Sequence, residues 1–515
     1  MNLIKPNSLI LILLILAMGC KEEKMVEKEV SKKRPNIIFI MDDQHRWDAL
    51  GMVNPQVITP TLDSLAKTGV YFDQAVCQAP ICVPSRNSIM FGLYPNQTGV
   101  YRNSDGVPDS LQPGKTMAQY FKDAGYETAG FGKTHWGKFK TDTRGFETRY
   151  TSEIPEKGGI SMAERNPEAK ARYDAEIADM GPGEENNIGY LGFTSKLPEE
   201  DHRDGWITKQ AINYIEERED ERPLFFYLSY MKPHAGHNVP EGYEDLYDLK
   251  NIEYAKQPPL KYVKNTSSRE FSQQTEEYDY SVHAKGVNRR EMYVDYWKNA
   301  SNEEWKLMTM RYYANVTWID DMMGRVLKSL EEKGLLENTI IVYTSDHGEM
   351  LGEHYYRFNK YTLYDASVRV PMILAGSALP ESVKRNTVNS TPTENIDIMP
   401  TLLDFAGIKT EKELPGENLL AENGRDSSFS SLHEREGEAA FMWRTKTDKL
   451  ILVFKRKENA NDYTSEDIIT GEFYDLENDP MEWKDLYNSA EVKTIQELFQ
   501  KQLIKHLQNM SSHLL

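Results

Sequence analysis

Three short stretches of this chain carry residue types that do chemistry in combination. The first is Asp42-Asp43, which follows the unbroken apolar run Ile37 to Met41. Adjacent strand residues point to opposite faces of a sheet, so two consecutive carboxylates can share a ligand only where a strand ends and the chain turns. The second, Thr344-Ser345-Asp346-His347-Gly348, closes another apolar run in the same way. Brought to one sheet edge, three carboxylates and an imidazole would make an oxygen-rich site suited to a hard divalent cation such as Ca²⁺ or Mg²⁺. Taken alone, each pair is explained equally well as a helix cap or a turn. The third stretch is Cys82-Val83-Pro84-Ser85-Arg86, running through Asn87 to Gly92. A cysteine beside an arginine at a helix start can be a reactive thiolate, because cations and helix N-termini lower thiol pKa values. The competing reading is a buried structural cysteine. With only Cys20, Cys77 and Cys82 there is neither a disulfide framework nor a four-cysteine zinc cage.

Positioning these groups falls to alternating strand and helix patterns. Continuous apolar runs, the kind buried on both faces of a parallel sheet, occur at Ile37 to Met41, Leu224 to Met231, Thr339 to Thr344 and Val370 to Leu374. Helical patterns lie between them at Pro60 to Lys67, Thr116 to Asp123, Trp206 to Glu217 and Glu303 to Glu332, with Thr59 expected to cap the first. The alternation predicts an α/β fold, a large mixed but mainly parallel sheet sandwiched by helices, with ligands beyond the carboxyl ends of the strands. From Gly424 the pattern shifts to short strand-like pieces at Ala439 to Trp443, Lys449 to Phe454 and Glu472 to Leu476, then a helix from Val492 to Gln508. We therefore expect a catalytic domain over residues 35–423 and a smaller C-terminal α+β domain with an antiparallel sheet over 424–515. The stretches 151–204 and 236–302 show no periodicity and read as long loops, which are commonly functional; the second is rich in Tyr and Trp.

Charge and the amino terminus narrow the setting. The 515 residues include 61 Lys and Arg against 80 Asp and Glu, a formal charge of −19, which argues against a nucleic-acid partner. Lys5 precedes an apolar run from Leu9 to Met18 that is too short to span a bilayer and reads as a signal-peptide core. Ala17-Met18-Gly19-Cys20 resembles a bacterial lipobox, which implies removal of residues 1–19 and lipidation of Cys20. Residues 20–34 then form a charged, flexible tether. Lys21-Glu22-Glu23 looks like the surface-export signal of Bacteroidota lipoproteins. The expectation is an outer-membrane lipoprotein held by its lipid anchor, exposed at the cell surface or facing the periplasm.

The Cys-x-Pro-Ser-Arg stretch from Cys82, followed by Gly92, resembles the signature of the type I, formylglycine-dependent sulfatases of the alkaline phosphatase superfamily. Val83 and Phe91 depart from the usual residues but leave Cys, Pro and Arg intact. Pro35 to Asp43, Gly132-Lys133-Thr134-His135-Trp136-Gly137, Lys232-Pro233-His234, Ser345 to Gly348, Gly352-Glu353-His354, Lys360 through Arg369-Val370-Pro371, and Tyr474 to Pro480 are similar to the family's other blocks, in order. The resemblance extends to bacterial polysaccharide sulfatases, ulvan-active ones included, and, through His347, to iduronate-2-sulfatase. It implies that a formylglycine-generating or sulfatase-maturating enzyme oxidises Cys82 to Cα-formylglycine (3-oxoalanine). It further implies that Asp42, Asp43, Asp346, His347 and the modified Cys82 hold one Ca²⁺, with Mg²⁺ the less fitting ion. One hydroxyl of the formylglycine hydrate would attack sulfur, and the other would let sulfate go. Arg86 would hold the hydrate, Lys133, His135 and Lys360 would surround the sulfate, and His234 or Lys360 would protonate the leaving oxygen. The implied substrate is a sulfated polysaccharide or oligosaccharide, with marine algal ulvan ahead of host glycosaminoglycans. The alternatives are a phosphonate monoester hydrolase or phosphodiesterase of the same superfamily, and a non-catalytic surface lipoprotein that captures sulfated glycan.

Overall fold

The apolar run after Pro35 forms strand β1 (Asn36–Asp43), and its side chains alternate between two cores. Ile37, Phe39 and Met41 enter one; Ile38 and Ile40 enter the other, all fully buried. A strand apolar on both faces must be covered on both. On the Ile38 side lie α1 (Pro60–Thr68), α4 (Arg203–Glu217) and α5 (Asn302–Glu332), through Leu62, Ile207 and Met322 among others. On the Ile37 side lie α2 (Cys82–Phe91), α3 (Met117–Asp123) and α6 (Ile398–Phe405), through Ile89, Phe121 and Leu402. Each such Ile, Leu or Phe contributes about 1.5–3 kcal/mol by leaving water. The structure is a computed structural model that describes residues 33–152, 156–179, 191–259, 296–433 and 437–510. Cys20, the leader and nearly all of the tether lie outside the described residues.

The central sheet has nine strands in the order β9 (Thr387–Asn389), β2 (Val70–Phe72), β8 (Met372–Ala375), β7 (Thr339–Ser345), β1, β6 (Leu224–Pro233), β3 (Glu127–Gly132), β4 (Thr148–Thr151), β5 (Ile160–Ser161). Strand β8 alone runs against its neighbours, so the sheet is mixed and mainly parallel, as the sequence pattern predicts. Register sets Asp42 opposite Ser345 on β7 and, after a shift beyond Met41, Asp43 opposite Pro233 on β6. The carboxyl ends of β7, β1, β6 and β3 therefore meet side by side.

Three local expectations are corrected. Strand β3 went unpredicted because Gly130 and Gly132 interrupt its apolar run; Gly132 sits at φ +90°, where a Cβ would collide with the Ser229 carbonyl of β6. Thr59 does not cap α1: its hydroxyl accepts from Gly51 N–H at 2.7 Å and donates to Asp63 at 3.0 Å. The capping acceptor is instead Asp320 of α5, which takes the N–H groups of Thr61 and Leu62 at 2.9 and 2.8 Å. The first long loop also contains a helix at Pro167–Asp179. In the second, Tyr247, Tyr254, Tyr296 and Trp297 pack around Trp305 and Tyr313 of α5, while Tyr262 and Tyr293 lie outside the described residues.

The C-terminal part is an antiparallel sheet of β10 (Ser428–Leu432), β11 (Glu438–Arg444), β12 (Asp448–Lys455) and β13 (Ile468–Asp475), covered by α7 (Lys493–Met510). Phe499, Leu503 and Leu507 of α7 fill its core against Phe441, Leu452 and Phe473. Buried charge ties it to the larger sheet: Asp365 takes Arg444 at 2.8 Å and Lys449 at 2.6 Å.

Candidate active site

Every described residue predicted for the site except His135 falls within one connected cluster at the strand ends. Asp42 and Asp43 end β1, Asp346 and His347 follow β7, His234 follows β6 and Lys133 follows β3. Cys82 is the first residue of α2, so its side chain sits at the positive end of a ten-residue helix. Arg86, one turn on, is wholly buried and binds the cluster together. It donates from Nε to Asp346 at 2.6 Å, from Nη2 to Asp43 at 2.9 Å, and from Nη1 to Ser229 Oγ and the Lys133 carbonyl at 2.8 Å each. A planar fork with fixed donors can hold two carboxylates and two neutral acceptors at once, which a lysine cannot.

Around Cys82 the contacts are short and charged. Its Sγ lies 2.7 Å from Lys360 Nζ, 3.3 Å from His347 Nε2 and 3.7 Å from Asp43 Oδ1. Lys360 Nζ also reaches Gln44 Oε1 at 3.1 Å and His234 Nε2 at 3.3 Å, and Lys133 pairs with Asp43 at 2.9 Å. Burial and then Asp43 push the Cys82 thiol pKa up, but Lys360, Lys133 and His347 overcome both and hold it well below the usual thiol range. The position is thus built to carry negative charge. Asp43 behaves alike: burial opposes its ionisation, and Lys133, Arg86, His234 and Lys360 carry its carboxyl well below the ordinary range. This local cationic set answers the overall charge of −19, because nearby charges in a dry pocket outweigh distant screened ones.

Among the described residues, the ligand atoms of Asp43, Cys82, Asp346 and His347 all lie within 4.8 Å of one another, and all four residues are buried. Burial, with Asp43 adding to it, pushes the Asp346 carboxyl up to about 6 despite Arg86. Two carboxylates and an anionic sulfur position so close are the charge excess that a divalent cation offsets. Asp42 is not one of these four. Its Oδ2 is taken by Tyr343 O–H at 2.6 Å and His45 Nδ1 at 2.7 Å, while the buried Oδ1 has no hydrogen-bond partner, so one oxygen is left to accept a cation. The donor set fits a metal. His135 stands two residues past Lys133, half-buried at φ +52° with Nδ1 unpartnered, lining a small cavity with Lys133, Thr134 and Trp136.

Sequence reasoning gave Gln44 no role in the site. Its side chain accepts from Lys360 and donates to the buried carboxylate of Glu349, and its own N–H donates to Asp346 at 3.1 Å. The signal for it was slight: a glutamine directly after the aspartate pair, held at φ +71°. Ser229 was missed because an inward serine in an apolar strand has no motif of its own.

The Sulfatase family model matches residues 35–408. This chain belongs to the sulfatase family. A second model, described as the C-terminal part of N-sulphoglucosamine sulphohydrolase, matches residues 352–509. Among curated sulfatases, an arylsulfatase of Clostridium perfringens is 29% identical over 92% of this chain and 95% of its own. An ulvan-active sulfatase of Formosa agariphila is 30% identical over 81% of this chain and 70% of its own. Among solved structures, a phosphonate monoester hydrolase of Agrobacterium radiobacter superposes with TM-score 0.71 at 20% identity, covering 94% of this chain and 96% of that one. An enzyme in complex with its substrate D-glucosamine-2-N,6-O-disulfate superposes with TM-score 0.67 at 23% identity, covering 93% and 98%. The fold is that of the alkaline-phosphatase-like sulfatases, and the protein is an enzyme, a sulfuric ester hydrolase.

Proposed function

We propose that this sulfatase hydrolyses sulfate esters of a sulfated polysaccharide or oligosaccharide, using Cys82 converted to Cα-formylglycine and one Ca²⁺ held by Asp42, Asp43, Asp346, His347 and the modified residue. The observation that carries the reading is the setting of Cys82. A structural cysteine has no use for Lys360 at 2.7 Å and a histidine and an aspartate within 3.7 Å in a buried pocket. Hydrated formylglycine supplies two hydroxyls on one carbon, one to attack sulfur and one to let sulfate leave. Bound there, Ca²⁺ supplies positive charge to the sulfate oxygens. Arg86 fixes Asp43 and Asp346, and Lys133 adds charge beside Asp43. Burial lowers the Lys360 pKa, but Cys82 as the thiolate and then Asp43 outweigh it and raise it; with formylglycine at position 82, Asp43 remains to favour the ammonium form. Burial and then Lys360 hold His234 neutral. We assign the proton for the leaving oxygen to Lys360, with His234 as its hydrogen-bonded neighbour. Cys82 is 1% exposed, so a maturating enzyme has to reach it before the chain closes around it.

The glycan assignment is supported by the ulvan-active relative and by an N-acetylglucosamine-6-O-sulfatase of Bacteroides thetaiotaomicron at 27% identity. The lipobox at Cys20 supports an outer-membrane lipoprotein working outside the cell or in the periplasm. A second reading, phosphonate or phosphate ester hydrolysis, is favoured by Asp43-Gln44-His45-Arg46, which is similar to the Asp-Gln-x-Arg opening of phosphonate monoester hydrolases; the two phosphonate monoester hydrolase structures, at 20% and 22% identity, show the fold alone. Mass spectrometry of the tryptic peptide Thr68–Arg86 tests the chemistry: formylglycine lowers its mass by about 18 Da, with the change localised to Cys82 and not Cys77. Unmodified thiol in protein from a maturation-competent host would favour a glycan-capturing lipoprotein instead. Cys82→Ala is expected to abolish turnover and leave the melting curve in place, and relative rates on matched sulfate and phosphate esters separate the two hydrolase readings.

A further inference from the structure

Behind the loop that follows α2, the catalytic unit and the C-terminal sheet form a cleft of about 420 Å³, lined by Asn96, Tyr101, His433, Arg456 and Tyr463, with Lys457 and the carboxylate of Glu458 also on its lining. A cleft of this size is ample for a sugar residue or two. Three features set it apart from a packing gap. His433 is 3% exposed, yet among the described residues neither ring nitrogen has a hydrogen-bond partner, and the buried Asn96 Oδ1 has none there either. Two guanidinium groups flank it with no carboxylate ion pair among the described residues: Arg456 lies over the Tyr101 ring at 5.1 Å, and Arg102 donates only to the His433 carbonyl at 3.0 Å. Tyr101 packs against His433 with ring centroids 4.3 Å apart and the planes tilted by 43°, so the two rings and Arg456 form one side of the cleft. Burial, followed by Arg456 and Arg102, depresses the His433 pKa to about 3. Its imidazole therefore stays neutral and offers one donor and one acceptor.

The cleft is linked to the Cys82 helix by backbone. The Tyr101 and Arg102 N–H groups both bond Asp105, at 3.0 and 2.9 Å, fixing a tight turn, and Asn103 in that turn accepts the Val83 N–H at 3.0 Å. Lys138, just past the Lys133 loop, donates its N–H to the Asp105 carbonyl at 2.9 Å. Chain geometry through these links keeps the Tyr101 backbone within about 17 Å of Cys82. That is a few sugar residues away.

We propose that the Tyr101–His433–Arg456 cleft is a second saccharide-binding site, which takes an anionic sugar residue of the same glycan, its carboxylate or sulfate on Arg456 and its hydroxyls on His433 and Asn96. The chemistry follows from the parts: guanidinium for a planar or tetrahedral anion, and neutral polar atoms for hydroxyls. The proposal rests on the glycan-sulfatase reading only for the identity of the chain that is bound.

The test is calorimetric titration of full-length Cys82→Ala protein, which leaves the oligosaccharide intact. The probes are a sulfated neutral-sugar tetrasaccharide, a desulfated uronate-bearing tetrasaccharide and an uncharged tetrasaccharide. Adding Arg456→Ala is expected to weaken binding of at least one anionic probe by about tenfold to a hundredfold, and His433→Phe to weaken it too, with the melting midpoint reporting that each variant is folded. Loss confined to the sulfated probe identifies sulfate as the anion; loss confined to the uronate identifies carboxylate. Affinity unchanged within twofold in folded Arg456→Ala, equal affinity for the uncharged probe, or no binding of any probe would overturn the proposal. Failure to find formylglycine at Cys82 would remove the sulfatase chemistry without altering these titrations, so the two ideas fail separately.

Discussion

Arg86→Met is the most demanding test of the site's electrostatics, because it removes charge and hydrogen bonds while nearly keeping volume. The arginine is fully buried and donates to Asp346 at 2.6 Å and Asp43 at 2.9 Å. Asp43 keeps Lys133 at 2.9 Å after the substitution. Asp346 keeps only the Gln44 N–H and His347, so the damage concentrates there. Removing one partner of a buried ion pair costs about 3–5 kcal/mol, and the Ser229 hydroxyl and Lys133 carbonyl lose a donor as well. The penalty also depends on pH in a definite direction. Burial and then Asp43 already raise the Asp346 carboxyl to about 6, above its unfolded value, and losing Arg86 raises it further. A raised acid is neutral in the fold at low pH, so stability is retained below about pH 4 and declines as pH climbs through the folded value. Urea unfolding followed by tryptophan fluorescence, in chelator, should therefore show the variant about 3–5 kcal/mol weaker than the parent at pH 7.5 and closer to it at pH 5. Ca²⁺ should narrow the gap by neutralising the carboxylates. A difference below about 1 kcal/mol at pH 7.5, the size expected of an exposed pair, would refute the account of Arg86 as the charge that holds the cluster.

Lys360→Met, which deletes the proposed proton donor 2.7 Å from Cys82, should lower kcat by about 10²–10³ with a smaller change in KM; an unchanged kcat on an activated aryl sulfate and on a glycan alike would exclude the proposed role. Chelation should abolish turnover and Ca²⁺ should restore it better than Mg²⁺, with Ca²⁺ at a hundred times its Kd adding about 2.7 kcal/mol to the unfolding free energy; equal rescue by Mg²⁺ would point to a different ion. Asp320→Ala removes the acceptor of two α1 N–H groups and should cost about 1–2 kcal/mol. Burial raises the Asp320 carboxyl to about 6, so its ionisation works against folding as pH rises from 4 towards 7, and Asp320→Asn should flatten that decline; identical slopes in urea midpoints at pH 4.5 and 7.5 would contradict it.

Much of the architecture was legible in the chain itself. Ile37 to Met41, Leu224 to Met231 and Thr339 to Thr344 became β1, β6 and β7, because a run apolar at every position can only be buried on both faces. The spacing within the Cys82 to Arg86 stretch was legible too, since these residues lie on consecutive turns of α2 and sequence alone sets their separation. Where local and global requirements part, the reading failed. Strand β3 contains two glycines whose value lies in letting β6 approach, and Asp320 caps a helix some 260 positions away, as its hydrogen bonds to Thr61 and Leu62 record with sequence separations of 259 and 258.

The sequence by itself determined which residues are available: a cysteine at 82, carboxylates at strand ends, and lysines and histidines in loops. Only the tertiary structure decided their relations. It placed Arg86 between Asp43 and Asp346, which lie 43 and 260 residues from it along the chain. It drew Gln44 into the Lys360 contact, set Asp42 beside the four-residue cluster with one oxygen unpaired, and left His135 lining a cavity of its own. The physical reason is that strand register and helix docking are settled by burial of the whole sheet, and a side chain's charge state follows from the neighbours that this burial brings within a few ångströms.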